Sequence, residues 1–390
     1  MTLRRSPLAI IFLTVFIDLI GFGIVIPILP LYAERFGASP LIIGLLLGIY
    51  SAVQCVCAPL LGKLSDRIGR RPVLLVSILG TSLGFLLMGF AKTLSLLFLA
   101  RVIDGATGGN ISTAQAYIAD VTPPQERSKG MGLIGAAFGL GFIFGPAIGG
   151  VLSRISLAAP FLFAAALAAA NSLAVYCFLP ESLAATRRVR GRDTSSLKEI
   201  FQMPESQTLP IVMATYFATT VAFSLLTATY PLFTERRFGY DASHNGYIFA
   251  FQGILGAVIQ GGLVGWLVKI SSDKTLALIG TVMLTLGLFW LPMSATAALL
   301  LTTTAIIAVG HGLVAAPLNG IASKRASAAA QGRVLGLMQS TASVARIVGP
   351  VLGGWLMNYD AARLASHFGQ TPYWAGGVCM VIGLALATRL

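Results

Sequence analysis

The sequence predicts an all-α polytopic membrane protein with twelve transmembrane helices in two pseudo-symmetric six-helix bundles. Charged residues make up only 11% of the 390 residues and hydrophobic residues 56%, whereas ordinary soluble domains carry roughly 25% charge. Apolar segments of about 20 residues, the length of a membrane-spanning helix, recur along the whole chain. Two short sequences of the first half also recur in the second. A soluble multidomain protein is excluded, because so little charge could not cover its surface.

The apolar segments divide the chain into twelve candidate spans. The N-terminal half contains six of them, at 7–31, 41–62, 73–91, 94–118, 130–152 and 158–179. The C-terminal half contains the other six, at 208–233, 244–268, 275–293, 295–320, 333–357 and 372–388. We therefore predict an N-terminal bundle at 1–179 and a C-terminal bundle at 207–390. Residues 180–206 between them are polar and basic, which indicates a cytoplasmic linker, either an interfacial helix or partly disordered.

Lysine and arginine are distributed unequally between the loops. If both termini are cytoplasmic, the outside loops collect only Arg35, Lys92, Arg154, Arg236, Arg237 and Arg363. The positive-inside rule therefore predicts cytoplasmic termini and a multi-pass protein of the plasma membrane, which is the inner membrane in a Gram-negative bacterium. The same bias explains the net charge of +13, so the lipid bilayer is an expected partner and nucleic acid is not.

Two sequence blocks occur once in each half. The sequence Pro-Leu-Tyr-Ala-Glu-Arg-Phe-Gly at 30–37 recurs in similar form at 231–239. The sequence Gly-Pro-Ala-Ile-Gly-Gly at 145–150 recurs as Gly-Pro-Val-Leu-Gly-Gly at 349–354. Repeats in the same orientation predict two parallel six-helix halves.

A dense run of charge at 62–72 separates two long apolar segments. Such a run cannot lie in hydrocarbon, so we expect a tight loop at the cytoplasmic surface. Glycine at both ends favours a sharp turn. The candidate functional residues of this loop are Gly62, Asp66, Arg67, Gly69, Arg70 and Arg71.

Asp18 lies about midway along an otherwise apolar span. A charge at that depth is costly, so we expect the carboxyl group to face a cavity and to take up a proton. The alternative is a hydrogen bond that only fixes helix packing.

Arg101 and Asp104 lie three residues apart on one predicted helix and can pair on the same face. The pair is either a static intrahelical bridge or a group that sets the proton affinity of Asp18 and changes between states.

Glycines follow one another through the fifth predicted span. Small residues let helices approach closely and slide, and proline permits a kink. Plain packing is the alternative for each residue taken singly. The residues concerned are Gly141, Gly145, Pro146, Gly149 and Gly150.

The chain resembles the major facilitator superfamily over nearly its whole length, and most closely its drug/proton antiporters of the tetracycline-efflux type. The loop at 62–72 and the stretches 18–30, 101–109 and 139–150 carry the resemblance. It implies that Asp66 faces the start of helix 11, near 332–333, and helps to close the cytoplasmic side. It also implies that an arginine at the position of Arg101 acts in proton coupling, and that the helix 5 pattern is typical of antiporters.

The chain departs from the tetracycline-efflux pattern at several points. It has Gly84 where those pumps have an acid and Gly256 where they have a histidine, and its predicted ninth helix, 275–293, contains no acid. Asp104 is not part of that pattern. These differences argue against a metal–tetracycline chelate as substrate.

Polar residues of the spans are candidates for a substrate cavity, and interhelical hydrogen bonding accounts for each equally well. For Arg346, binding of an anionic substrate and pairing with Asp18 both remain open. The candidates are Gln54, Asn110, Gln115, Gln252, Gln260, His311, Asn319, Gln339 and Arg346.

The sequence contains no nucleotide-binding loop, nucleophilic triad or metal-ligand cluster. We therefore predict a secondary transporter that is not an enzyme, needs no cofactor or metal and acts as a monomer on a small-molecule substrate and protons. The favoured function is proton-driven export of a small amphipathic compound, with Asp18 as proton carrier and the Arg101–Asp104 pair as its modulator. The alternatives are a symporter or facilitator for a sugar or organic acid and, more remotely, a non-transporting receptor or scaffold.

Overall fold

The computed structural model describes residues 7–123, 126–183, 208–325, 331–363 and 368–390. These ranges are helical and contain no strand, so the predicted all-α class is confirmed. The predicted linker at 180–206 lies outside the described residues beyond 183, as do the side chains at 332–333.

The helices follow one another along the chain with short connections. In the N-terminal half they are α1 (Pro7–Glu34), α2 (Pro40–Ile68), α3 (Arg70–Gly89), α4 (Leu94–Ala106), α5 (Asn110–Val121), α6 (Arg127–Ser153) and α7 (Ala159–Phe178). In the C-terminal half they are α8 (Leu209–Phe238), α9 (Ala242–Val258), α10 (Val264–Ile270), α11 (Asp273–Trp290), α12 (Ala297–Arg325), α13 (Gln331–Arg363) and α14 (Gln370–Ala387). A π-helical turn, Ile259–Leu263, joins α9 to α10, and a 3₁₀ turn, Leu291–Met293, follows α11.

Ten helices within the described ranges are long and apolar enough to cross a membrane, if α9, the π turn and α10 are taken as one. The other two predicted spans are helical as well. α14 has 18 residues and corresponds to the predicted span at 372–388. The span at 94–118 is divided into α4 and α5.

The break in this fourth span corrects the predicted continuous helix. Glycine is a poor helix former, and Gly105, Gly108 and Gly109 surround the break. The Gln54 side chain of α2 donates a hydrogen bond to the Gly108 carbonyl, at 3.1 Å. An interrupted helix is tolerated inside a membrane protein when neighbouring side chains satisfy the freed backbone groups in this way.

The charged segment at 62–72 is more helical than predicted. α2 continues to Ile68 and α3 begins at Arg70, so only Gly69 lies between them. Gly69 has a φ of 114°, a conformation that favours glycine. The predicted tight turn is therefore a single residue, because a helix whose end lies in water can carry charges without breaking.

The chain forms two compact units. The first unit comprises residues 1–37, 49–192 and 241–250, and the second comprises 38–48, 193–240 and 251–390. The core of the first unit contains Ile11, Val15, Leu74, Ile78 and Tyr117. The core of the second contains Leu209, Val212, Ala277, Leu318 and Met338.

The repeated glycine block has the same packing role in each unit. In the first, a Cβ atom built on Gly145 of α6 would lie 2.7 Å from the Ile20 carbonyl oxygen of α1. In the second, a Cβ atom on Gly349 of α13 would lie 2.8 Å from the Val221 carbonyl oxygen of α8. Both distances are too short for a side chain, so glycine is what lets each of these helix pairs pack backbone to backbone.

Candidate functional site

Asp18 is held inside the first unit by a residue from the broken fourth span. Asn110, the first residue of α5, donates a hydrogen bond from Nδ2 to Asp18 Oδ1 at 2.8 Å. Asn110 is 2% exposed. The break at 107–109 thus has a consequence for the site, since it sets the position at which α5 begins and where Asn110 meets α1.

Arg101 and Asp104 form the predicted pair on α4. Arg101 Nη1 lies 3.0 Å from Asp104 Oδ2, and the two side chains are 2% and 7% exposed. The guanidinium carbon of Arg101 also lies 4.2 Å from the centre of the Tyr50 ring, a cation–π contact. Removing one member of so deeply buried a pair would leave an uncompensated charge.

The three predicted proton-coupling residues are neighbours in the first unit. Asp104 lies close enough to Asp18 for the two carboxyl groups to interact electrostatically. A Cβ atom on Gly84 of α3 would lie 2.9 Å from the Asp104 Cβ, so Asp104 occupies the space beside position 84. The predicted coupling role of these residues remains a prediction, but their juxtaposition suits it.

Arg70 is the centre of a polar network at the predicted cytoplasmic end of the first unit. Its guanidinium group reaches Asp66 Oδ1 at 2.6 Å, Asp120 Oδ2 at 3.1 Å and Ser65 Oγ at 2.6 Å. Among the predicted loop residues, Asp66 and Arg70 are thus paired with each other, in the conformation that the structure records. The expected contact of Asp66 with 332–333 falls on side chains outside the described set.

The other residues of the charged segment have different surroundings. Arg71 donates to the Tyr176 carbonyl oxygen and lies over the Tyr176 ring. Arg67 is exposed, and the Gly62 carbonyl accepts a hydrogen bond from Ser65 Oγ at 2.7 Å.

Glu181, which sequence reasoning missed, fixes the start of α3. Its two carboxylate oxygens accept hydrogen bonds from the backbone N–H groups of Arg70 and Arg71, at 2.9 and 3.1 Å. A Cβ atom on residue 69 would lie 2.4 Å from Glu181 Oε2, so Gly69 is required for this contact as well. A carboxylate at a helix N-terminus is favourable for the unpaired N–H groups and the helix dipole. The available signal was an acid two residues beyond the apolar part of the sixth span.

Replacing Glu181 by glutamine is expected to lower the free energy of unfolding by about 1–2 kcal/mol, because the charge and one of the two acceptor atoms are lost. The measurement is the midpoint of thermal unfolding of the detergent-solubilised protein. Glu126→Gln is the control, because Glu126 precedes α6 without a side-chain capping bond. Equal shifts in the two variants would show that Glu181 does not stabilise α3.

The helix 5 residues predicted to act together all face close neighbours in the first unit. A Cβ atom on Gly141 would lie 2.4 Å from Leu19 Cβ, and one on Gly149 would lie 2.8 Å from Ile28 Cδ1. Gly150 meets the start of α9, where a Cβ atom on Gly246 would lie 2.6 Å from Gly150 Cα and 2.6 Å from the Pro146 carbonyl oxygen.

A matching contact occurs in the second unit. A Cβ atom on Gly354 of α13 would lie 2.3 Å from the Pro40 carbonyl oxygen at the start of α2. A Cβ atom on Gly44, one turn further along α2, would lie 2.2 Å from the Pro350 carbonyl oxygen. Both ends of the repeated block thus serve close helix packing.

The candidate cavity residues are not gathered by the structure into one group. Gln54 and Asn110 make the internal bonds described above, and Asn319 Nδ2 donates to the Ala315 carbonyl oxygen at 2.8 Å. For these three, the packing alternative describes the contacts. Gln252 is buried, and its Nε2 atom has no hydrogen-bond partner among the described residues.

The remaining candidates keep polar atoms at less enclosed positions. His311 stacks on Phe223 with ring centres 3.8 Å apart. Arg346 Nη2 donates to Ser343 Oγ at 3.2 Å. Gln260 lies in the π-helical turn, a feature that sequence reasoning missed and that often marks functional sites. Three side chains are exposed, those of Gln115, Gln260 and Gln339.

Comparison with known sequences gives one family over almost the whole chain. The Major Facilitator Superfamily profile matches residues 11–350 and 263–390. Tetracycline resistance protein, class B, of Escherichia coli is 33% identical over 379 residues, which cover 95% of this chain and 90% of that protein. Multidrug resistance protein 1 of Bacillus subtilis (strain 168) is 28% identical over 386 residues, which cover 98% of this chain and 96% of that protein.

Solved structures show the same fold. A bacterial homolog of the human lysosomal transporter Spinster, in an inward-facing and unoccupied conformation, matches with a TM-score of 0.85 at 16% identity and covers 99% of this chain and 96% of that chain. The human organic anion transporter MFSD10 matches with a TM-score of 0.73 at 22% identity, covering 99% of this chain and 100% of that chain.

Proposed function

Because the chain belongs to the major facilitator superfamily, and is thus a multi-pass secondary transporter rather than an enzyme, we propose that it exports a small amphipathic compound in exchange for protons by alternating access. We place it in the plasma membrane with both termini in the cytoplasm, as the distribution of Lys and Arg favours.

The single observation that carries this proposal is the cluster of Asp18, Arg101 and Asp104 inside the first unit. Acids buried in membrane-spanning helices are costly and are usually functional. A carboxyl group whose proton affinity differs between two conformations couples protonation to the equilibrium between them, and the coupling is reciprocal. Asp18 is the better carrier of the two acids, because Arg101 compensates the charge of Asp104 directly.

The glycine contacts support the alternating-access part of the proposal. The contacts of Gly150 with Gly246 and of Gly354 with Pro40 both lie at the end of the helices that the charge distribution places outside. Backbone packing without intervening side chains lets helices slide or separate. In this conformation we infer that the extracellular ends are closed.

The substrate class follows from the relatives and from two departures. One relative is named a tetracycline resistance protein and another a multidrug resistance protein, so we propose export of a drug-like amphipathic compound. Gly84 lies against Asp104, and Gly256 has only Gln260 within 4 Å of its Cβ position. Neither position supplies the acid or histidine of the tetracycline-efflux pattern.

Expression of the protein in a sensitive bacterium is expected to give no tetracycline resistance above the empty vector. The reason is the absence of the acid at position 84 and of the histidine at position 256, which weakens binding of a metal chelate. The measurement is the growth-inhibitory concentration, with a second drug-like compound as positive control for expression. Robust, magnesium-dependent tetracycline transport would contradict this prediction.

The experiment that tests the proposed function is a substrate screen in proteoliposomes with an imposed pH gradient. Accumulation against a concentration gradient that collapses when the pH gradient is dissipated would support antiport. Substrate movement in the same direction as protons would instead favour the symporter alternative. Transport that ignores the pH gradient would favour a facilitator.

A further inference from the structure

A small polar cavity lies in the interior of the first unit beside Asp18. Its lining comes from α1, α3, α5 and α7 and includes Thr14, Asp18, Thr81, Phe85, Asn110 and Asn171. The space open to the centre of a water molecule is about 10 Å³, which is the size that holds a single water. A cavity of this size is too small for a drug-like substrate, so it has a different use.

Two buried polar atoms of the lining have no hydrogen-bond partner among the described residues. They are Thr81 Oγ1 and Asn110 Oδ1, on residues that are only 4% and 2% exposed. Buried polar groups are almost always hydrogen-bonded, to protein or to an ordered water. A water in this cavity would have the two to four polar neighbours that a buried water needs.

Thr81 lies between the cavity and the second acid. It faces the cavity from α3, while Gly84, one turn further along the same helix, lies against Asp104. Asp104 is within interaction range of both Thr81 and Asp18. Only Asp18 ionises among the lining residues of the described structure, and the charged groups beyond Thr81 are Asp104 and its partner Arg101.

We propose that the cavity binds one water molecule and that this water and the Thr81 hydroxyl connect Asp18 to Asp104, so that the two acids share one transferable proton. The proton of a protonated Asp18 passes to the water, the water passes one of its protons to Thr81 Oγ1, and the Thr81 hydroxyl proton passes to an Asp104 oxygen. Water and threonine end neutral, and one proton has moved from one carboxyl group to the other. The inference rests on the proposed antiport and adds Thr81 to it as a positioning residue.

The test removes the Thr81 hydroxyl without changing the volume of the side chain. Thr81→Val lacks the hydroxyl, Thr81→Ser keeps it, and Ser77→Ala is the matched control. Ser77 lies one turn earlier on α3, is buried, and its Oγ has no described partner, but it does not line the cavity. The protein is assayed in proteoliposomes for pH-gradient-driven transport and for counterflow, which needs no net proton movement.

Thr81→Val is expected to reduce driven transport by at least about 10-fold, since positioned proton transfer contributes typically 10²–10⁴-fold, while counterflow and substrate binding stay at the wild-type level. Thr81→Ser and Ser77→Ala should transport normally. The pH dependence of driven transport should shift in Thr81→Val only, a result that a purely structural role of Thr81 would not give. Thr81→Ala supplies a second hydroxyl-free variant if the valine variant does not insert.

Normal driven transport with an unchanged pH profile in Thr81→Val would overturn the inference while leaving the proposed antiport intact. Absence of proton coupling in the wild type would overturn the antiport itself, so the two failures are distinguishable. Transport driven by a sodium gradient at constant pH, and lost in Thr81→Val, would show that the cavity binds a cation and not a proton-conducting water.

Discussion

Asp18→Asn is expected to abolish transport against a gradient while substrate binding and counterflow persist. Asparagine cannot release a proton, so the conformational equilibrium loses its dependence on the pH gradient. Couplings of this kind are worth typically about 5–150-fold in affinity, and accumulation should therefore fall to the level of passive exchange. Folding should be spared, because an asparagine oxygen at position 18 can still accept the hydrogen bond from Asn110 Nδ2.

Asp104→Asn is the matched variant, because it also replaces a buried carboxyl group of the same unit by an amide. We expect it to retain part of the driven transport, since Asp18 remains and Asp104 acts as its modulator. The measurement is substrate accumulation in proteoliposomes with and without a pH gradient. Normal pumping by Asp18→Asn together with loss of pumping by Asp104→Asn would reverse the assignment of the two acids.

Gly246→Ala is expected to lower transport by about 10-fold or more by holding α9 away from α6. The new Cβ atom would lie 2.6 Å from Gly150 Cα and from the Pro146 carbonyl oxygen, and backbone atoms can give way only if the helices separate. Overpacking of this kind costs about 1–3 kcal/mol, and each 1.4 kcal/mol changes a conformational equilibrium tenfold. The predicted result is a shift away from the recorded conformation, with greater accessibility from outside.

Gly256→Ala in the same helix is the control for this prediction, because the nearest atom to its Cβ position is Gln260 Nε2 at 3.9 Å. Both variants receive the labelling test, in which a membrane-impermeant thiol reagent reacts with a cysteine introduced near the start of α9. Greater labelling and slower transport in Gly246→Ala alone would support the closing role of the glycine contact. Equal behaviour of the two variants would contradict it.

The fold could be predicted largely because membrane-spanning helices are determined by sums over about 20 residues. Such sums tolerate errors at single positions, and the all-α class, the family and most of the spans followed from them. The break at 107–109 could not be found in this way, because it depends on Gln54 of another helix satisfying the Gly108 carbonyl. The length of α2 was missed for a related reason, since hydropathy marks where a helix leaves the bilayer and not where it ends.

The candidate site was predictable for charges in apolar surroundings and not for its neutral or exposed members. Asp18, Arg101 and Asp104 stood out because charge inside a span is rare. Glu181 and Asp120 were missed because acids near the ends of spans are common, and only the geometry of Arg70 makes them partners. Two departures from the tetracycline-efflux pattern, Gly84 and Asp104, looked independent in the sequence but are adjacent in the structure.

The central claim is that substrate binding and the protonation of Asp18 are coupled, and the most direct test is substrate-induced proton release from the purified protein in weakly buffered detergent solution. The account predicts proton release on substrate addition by the wild type and no release by Asp18→Asn, although both bind substrate. Equal proton release by the wild type and Asp18→Asn would contradict the account.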